Sequence, residues 1–231
     1  MSAGVEHADG RRALARGLLA SALLASALGG FGCSVGQGEG SATSADLYVP
    51  ACWEGPFDLR PTFFGANPFD DTLTIRVQRG EREIGVSDGY TMLISNVQAV
   101  RTFGLDTDLP LGLPLGVTPF GYPLPPLPNP PAASLTLYLN NSCRRQNSLL
   151  YSVSGSVRFS KLFSGDLSEE NAEDRITRGS FSAVLVDPRD AVPDLSADAG
   201  VPYRYPSSRT SVLEGDFDFV FHRGIPAQPF P

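Results

Sequence analysis

The last third of the chain carries the pattern that most restricts what it can fold into. Residues 155–159 read Gly-Ser-Val-Arg-Phe, residues 179–183 Gly-Ser-Phe-Ser-Ala, and residues 215–219 Gly-Asp-Phe-Asp-Phe. In each, a glycine precedes a run in which apolar and polar side chains alternate, the period of a strand with one face buried. One face holds Val157 and Phe159, then Phe181, Ala183 and Leu185, then Phe217, Phe219 and Phe221; Ser156, Arg158, Ser182, Asp216 and Asp218 make the wet face. So large an aromatic face has to be hidden, which predicts an antiparallel meander closed on itself or packed on a second sheet. The phenylalanines read as plain core in preference to the lining of a ligand cavity, and the glycines as bulges or sharp bends. The glycines are spaced too unevenly for a solenoid or propeller repeat.

Earlier segments repeat the alternation. Leu73, Ile75 and Val77 alternate with Thr74, Arg76 and Gln78, and Leu135, Leu137 and Leu139 with Thr136 and Tyr138. Residues 83–87, 90–95 and 97–103 are shorter strand candidates, and residues 168–174, with Ser168 as a cap, are the one helix candidate outside the N-terminal segment. The expected fold is all-β: a single antiparallel β-sandwich or partly open β-barrel over residues 47–231.

The N-terminal segment has a different character. Arg11, Arg12 and Arg16 precede an uncharged, apolar run at residues 18–28, which is followed by Gly29 and Gly30 and then Phe31, Gly32, Cys33 and Ser34. That run is well short of the roughly 20 residues needed to span a bilayer as a helix, and has the length of an export-signal core. The arrangement resembles a bacterial lipoprotein signal peptide, with Gly32 as the small residue before the cysteine and Gly30 where that family usually carries an aliphatic side chain. The resemblance implies cleavage of residues 1–32 and lipidation of Cys33, palmitate included. With Ser34 in place of Asp after the cysteine, it also implies sorting to the outer membrane, periplasmic or surface-exposed. Two rivals stand beside it: ordinary cleavage at Ala25, Ser26 and Ala27, and an uncleaved membrane helix over residues 13–31. The C-terminal run GDFDFVFHRGIPAQPFP is similar to the ends of uncharacterised lipoproteins of the myxobacterial kind, a likeness that implies no activity. Residues 33–46, rich in Gly, Ser and Ala without apolar periodicity, read as a flexible tether.

Cysteine usage points the same way. The chain has 3 cysteines, Cys33, Cys52 and Cys143, an odd number for an oxidising compartment. Lipidating Cys33 leaves Cys52 and Cys143 to form a disulfide, which the periplasm allows; two buried thiols are the alternative. Losing residues 1–32 removes three arginines, one Glu and one Asp, leaving 15 basic and 23 acidic side chains and a net charge of −8. Such a surface repels nucleic acid. The partners expected are the membrane, through the anchor, and another envelope protein.

Residues 109–131 hold nine prolines and no charge, interleaved with Leu111, Leu113, Phe120, Tyr122 and Leu124. Proline removes backbone donors, so no interior strand is expected here. The segment is either a cover burying its leucines on the domain or an apolar docking surface made by those five residues.

Candidate chemistry is sparse. His222 is the one histidine after residue 32, and no GxSxG elbow accompanies it, so a Ser-His-Asp site is poorly supplied. Asp187, Asp190, Asp194 and Asp198 fall three or four apart, unlike the alternate oxygens of a calcium loop. Glu54, beside Trp53, is the one acid next to an aromatic platform. No metal, cofactor or catalytic group is expected. The predicted role is a non-enzymatic interaction or structural module of the envelope, with a carrier of an apolar ligand as the alternative and a secreted hydrolase behind it.

Overall fold

The aromatic face of the last third finds its cover in the stretch expected to be unstructured. Cys33–Val49 is a strand, β1, in a computed structural model that describes residues 33–80, 84–114, 117, 132–144, 148–194 and 203–227, with backbone alone at 33–35 and 223–227. It runs antiparallel to the last strand, β12 (Thr210–Ala227), with Gly36, Gly38 and Gly40 opposite Phe221, Phe219 and Phe217. A Cβ at Gly38 would come within 2.5 Å of Cα and Cβ of Phe219, so only a residue without a side chain lets the two strands lie this close. Residues 33–46 are therefore wall and not tether, and the sheet already includes Cys33 instead of first taking in Leu47. Packing against phenyl rings overrides glycine's weak intrinsic preference for strands.

Between these two strands come β2 (Trp53–Leu59), β3 (Phe63–Phe69), β4 (Thr72–Gln78), β5 (Asp88–Ser95), β6 (Asp108–Gly112), β7 (Ala133–Leu139), β8 (Leu149–Lys161), β9 (Ile176–Val186) and the short pair β10 (Val192–Pro193) and β11 (Tyr203–Arg204). Antiparallel ladders link β1 to β3, then β4, β5, β7, β8, β9 and β12, and β12 returns to β1. The circuit closes, with two thin seams. β1 meets β3 at Ser34, Val35 and Gly36 and then takes β2 on that edge, from Ala42 to Val49. β7 meets β8 at Thr136, Leu137 and Tyr138, and β6 wedges in where they part. The result is an all-β, partly open barrel, and β8, β9 and β12 form the expected meander.

Two expectations about proline and glycine change. The start of the proline-rich segment lies inside the sheet as β6. Asp108 to Pro110 pair with β8, and Leu111 and Gly112 pair in parallel with β7. Pro110, opposite Ser156, has no ladder partner on its other edge among the described residues, so its missing N–H costs little there. The two ends of the Asp108 carboxylate accept from Arg158 at 2.9 Å, fastening β6 to β8 and holding the Asp108 carboxyl below its usual range. Of the glycines read as bends, Gly155 has φ +122° beside the β8 bulge, where an L side chain is strained. Gly179 stands opposite Phe159 at the second β8 bulge, Gly215 sits in regular ladder, and a Cβ at either would meet the ring of Phe217 or Phe181.

Apolar side chains point inward around the circuit. Leu73, Ile75 and Val77 of β4, Tyr90, Met92 and Ile94 of β5, Leu135, Leu137 and Leu139 of β7, and Val157 and Phe159 of β8 are all buried. Their rings interlock: Phe64 lies 4.9 Å from Phe219, Phe219 4.9 Å from Phe221, and Phe159 5.9 Å from Phe217. Most outward positions are polar, among them Arg178 paired with Asp218 at 2.8 Å and Ser41 with Asp216 at 2.5 Å, with Phe63, Tyr138 and Val212 as exceptions. Apolar inside and polar outside is the reverse of the pattern of a barrel whose wall crosses a membrane.

Three local expectations fail for identifiable reasons. Residues 97–103, read as a strand, form a helical turn (97–104), with Val97, Val100 and Gly104 buried on one side. Its first free donors are met from the β3–β4 turn: Asp71 accepts from the Val97 N–H through its carbonyl (3.0 Å) and from the Gln98 N–H through Oδ1 (3.2 Å). Residues 84–86, in the candidate strand 83–87, are a single 3₁₀ turn. The helix expected at 168–174 is likewise reduced to a 3₁₀ turn, Glu173–Arg175. Upstream of it Asp166 accepts from Ser168, Glu169 from Asn171 and Asn171 from Glu173, local side-chain bonds that compete with a helix.

Candidate functional site

The strand directions give the barrel two unlike ends. Cys33 lies at one, with the β3–β4 turn, the helical turn 97–104, the β8–β9 connection (162–175) and the last residues of β12. At the other, Cys52, just past β1, is joined to Cys143, just past β7, with Cα atoms 5.7 Å apart. The disulfide expected from cysteine counting thus ties two turns of the far end across 91 residues of sequence.

That far end is built for rigidity. The buried Asp88 carboxylate accepts from the Asn141 and Ser142 N–H groups at 3.0 Å and from the Ser142 hydroxyl at 2.6 Å, fixing the turn that presents Cys143. Nearby, the Tyr138 hydroxyl donates to Gln78 Oε1 at 2.9 Å, and the Arg76 guanidinium lies 4.5 Å from the centre of the Phe63 ring. Arg76, Gln78, Phe63 and Tyr138 are all buried although they lie on the outward face of the wall. Burial pushes the Tyr138 phenol well above its ordinary value, against the opposing pull of Arg76. These groups interlock as structural polar pairs.

The Cys33 end is less closed. Phe69, in the β3–β4 turn, is 60% exposed, and Phe103, on the helical turn, is 83% exposed. Beside Phe103 an apolar groove of about 380 Å³ runs past Ala99, Val100, Leu109 and Ala132. On the other side of the helical turn lies a polar cleft of about 300 Å³, crossed by the ion pairs Arg101–Asp174 and Lys161–Glu173. Its four charges pair with one another. Both hollows belong to the end of the barrel where the chain enters.

The residues singled out beforehand disperse. Cys33 is the first residue of β1, opposite Ala227. Leu111 is buried in the core and Leu113 is half-buried, while Phe120, Tyr122 and Leu124 lie outside the described residues. Leu111 is therefore a core residue of β6 and not part of an exposed docking surface. Asp187 accepts from Arg189 at 2.9 Å and Asp190 pairs with Arg209 at 2.5 Å, so these carboxylates are engaged by arginine. Glu54 is exposed on β2, and the neighbouring Trp53 indole donates to the Pro56 carbonyl (3.3 Å) and packs edge-on against Phe57. His222 is half-buried on β12, after Phe221. Phe69 and Phe103 escaped the sequence reading; the signal available was an aromatic placed in a polar turn, between Pro68 and Asp70 and between Thr102 and Gly104.

No family model, curated protein or solved structure matches this chain. The functional reading therefore rests on its own residues.

Proposed function

We propose that the chain is a lipid-anchored, non-enzymatic module of the bacterial outer membrane, of the uncharacterised lipoprotein kind, attached through Cys33. The observation that carries this reading is the use of the cysteines. Cys52 and Cys143 are bonded to each other at the far end, which leaves Cys33, directly after the signal-like segment, as the remaining thiol. The outward polarity of the wall supports attachment by an anchor in place of a spanning barrel. Interlocked phenyl rings in the interior support a structural module over an apolar carrier. The envelope partner is expected at the uncharged segment beyond Leu113, the part holding Phe120, Tyr122 and Leu124.

Metabolic labelling with palmitate and fractionation of a Cys33→Ser variant test the anchor. Label on the wild-type chain, with its loss and release of the variant into the soluble fraction, is the expected outcome. An unlabelled chain whose variant stays particulate refutes the proposal.

A further inference from the structure

We infer that the Cys33 end of the barrel is a membrane-contacting face on which Phe69 and Phe103 enter a zwitterionic phospholipid surface, an inference that rests on the anchoring of Cys33. The register supplies the geometry. Ser34 stands opposite Ala66, so Cys33 lies one residue, and Phe69 three residues, further toward that end. At roughly 3.3 Å per residue and with the strand tilt of a barrel, Phe69 projects about 5–7 Å beyond Cys33. The second ring continues the surface. Phe69 pairs with Thr72 and Thr72 with Ser95, so the helical turn that follows Ser95 and carries Phe103 starts from the same level.

Slack decides whether these rings reach lipid. A flexible leash of a dozen residues would let the barrel float clear of the bilayer, but β1 begins at Cys33 itself and pairs there with Ala227. Acyl chains on Cys33 hold that residue at headgroup level, and side chains about 5–7 Å deeper meet the acyl boundary. A barrel of this polarity has little reason to leave a phenyl ring 83% exposed; one on its membrane side has. Asp70, Asp71, Asp106, Asp166, Glu169 and Glu170 lie in the turns at the same end; against them stand Arg101 and Lys161, paired with Asp174 and Glu173, and Arg175, which donates to the Phe221 carbonyl at 3.4 Å. The rim is acidic, which selects zwitterionic over anionic headgroups.

The chain supplies its own control, since its single tryptophan, Trp53, lies at the disulfide end. The lipidated full chain and its Phe69→Trp and Phe103→Trp variants are reconstituted into phosphatidylcholine vesicles with and without brominated acyl chains, and tryptophan emission is read after flotation. Both introduced tryptophans are expected to lose about half their emission in brominated vesicles, as rings about 5–10 Å into the interface would, while Trp53 in the wild-type chain is unchanged. Chains that float with both introduced tryptophans as unquenched as Trp53 overturn the inference and leave the anchor standing. Chains that do not float overturn the anchor, and the inference with it. Both rings are exposed, so both variants are expected to keep the wild-type circular dichroism spectrum.

Discussion

Replacing Gly38 by alanine puts a methyl group 2.5 Å from Cα and Cβ of Phe219, atoms that cannot turn aside as a ring can. Overpacking of this kind costs about 1–3 kcal/mol. Alanine also restricts the unfolded chain, which returns about 0.4–1 kcal/mol, so the net loss lies between about 0 and 2.6 kcal/mol and centres on about 1–2 kcal/mol. For a domain of this size, at about 2–4 °C per kcal/mol, Tm falls by about 2–8 °C. The neighbouring glycines grade the effect. At Gly40 the methyl meets the Asp216 carbonyl oxygen at 2.7 Å, and at Gly36 it meets ring atoms of Phe219 and Phe221 at 3.3 Å, where the rings can shift. The order of destabilisation is therefore Gly38, then Gly40, then Gly36. Urea titration of the three single variants, at unchanged m-value, reads it directly. A flexible tether predicts three variants within about 0.5 kcal/mol of wild type, and that result would refute the placement of 33–49 in the wall.

Reduction of the Cys52–Cys143 bond, or Cys52→Ser, is expected to lower stability by up to about 4–5 kcal/mol in the chain-entropy model, read by urea titration with and without reductant; no change would mean the far end is held without it. The Tyr90 hydroxyl is buried with no hydrogen-bond partner among the described residues, so Tyr90→Phe should be neutral or stabilising at pH 7. Burial raises the Tyr90 and Tyr138 phenols in the folded state, so their contribution is complete below pH 10 and is lost as pH rises, at about 1.4 kcal/mol per pH unit for each phenol. Denaturant titrations between pH 10 and 12 should show a shallower decline in Tyr90→Phe than in wild type; equal slopes would contradict the buried phenol. Leu111→Ala should cost about 2–5 kcal/mol in thermal or urea unfolding, whereas a surface docking residue would cost almost nothing.

The all-β class was legible because burial on one face writes a period of two into residues 72–78, 135–139, 155–159, 179–185 and 215–221, and those segments lie in strands. What was not legible is where partners lie far apart in the chain. Gly36, Gly38 and Gly40 have no apolar period of their own, and only Phe217, Phe219 and Phe221, at the same spacing some 180 residues later, turn them into a strand. The period was present as alternating absence: a side chain is missing at every second position because the partner's ring occupies its place. The helical turn 97–104 failed for a similar reason, since its cap comes from Asp71 in another turn. The disulfide was accessible through counting alone, and the exposed rings were not, because nothing local distinguishes an aromatic at the end of a barrel from one in its core.

The place of residues 33–49 in the wall also bears on the proposed anchoring at Cys33. A leash makes the anchor an address and leaves the orientation of the domain free. If Cys33 is the anchor as proposed, a strand that starts there is a hinge of no length, and attachment would also dictate which end of the barrel faces the bilayer. The disulfide, the Asp88 clamp and the Tyr138–Gln78 bond tie together the opposite end, the one the proposed anchoring would turn away from the bilayer. Inserting ten Gly-Ser residues between Cys33 and Ser34 separates the two effects. The anchored chain should still float with vesicles, while the lipid quenching of Phe103→Trp should disappear. Quenching that survives the insertion would mean the rings bind lipid by their own affinity and not because β1 holds them there.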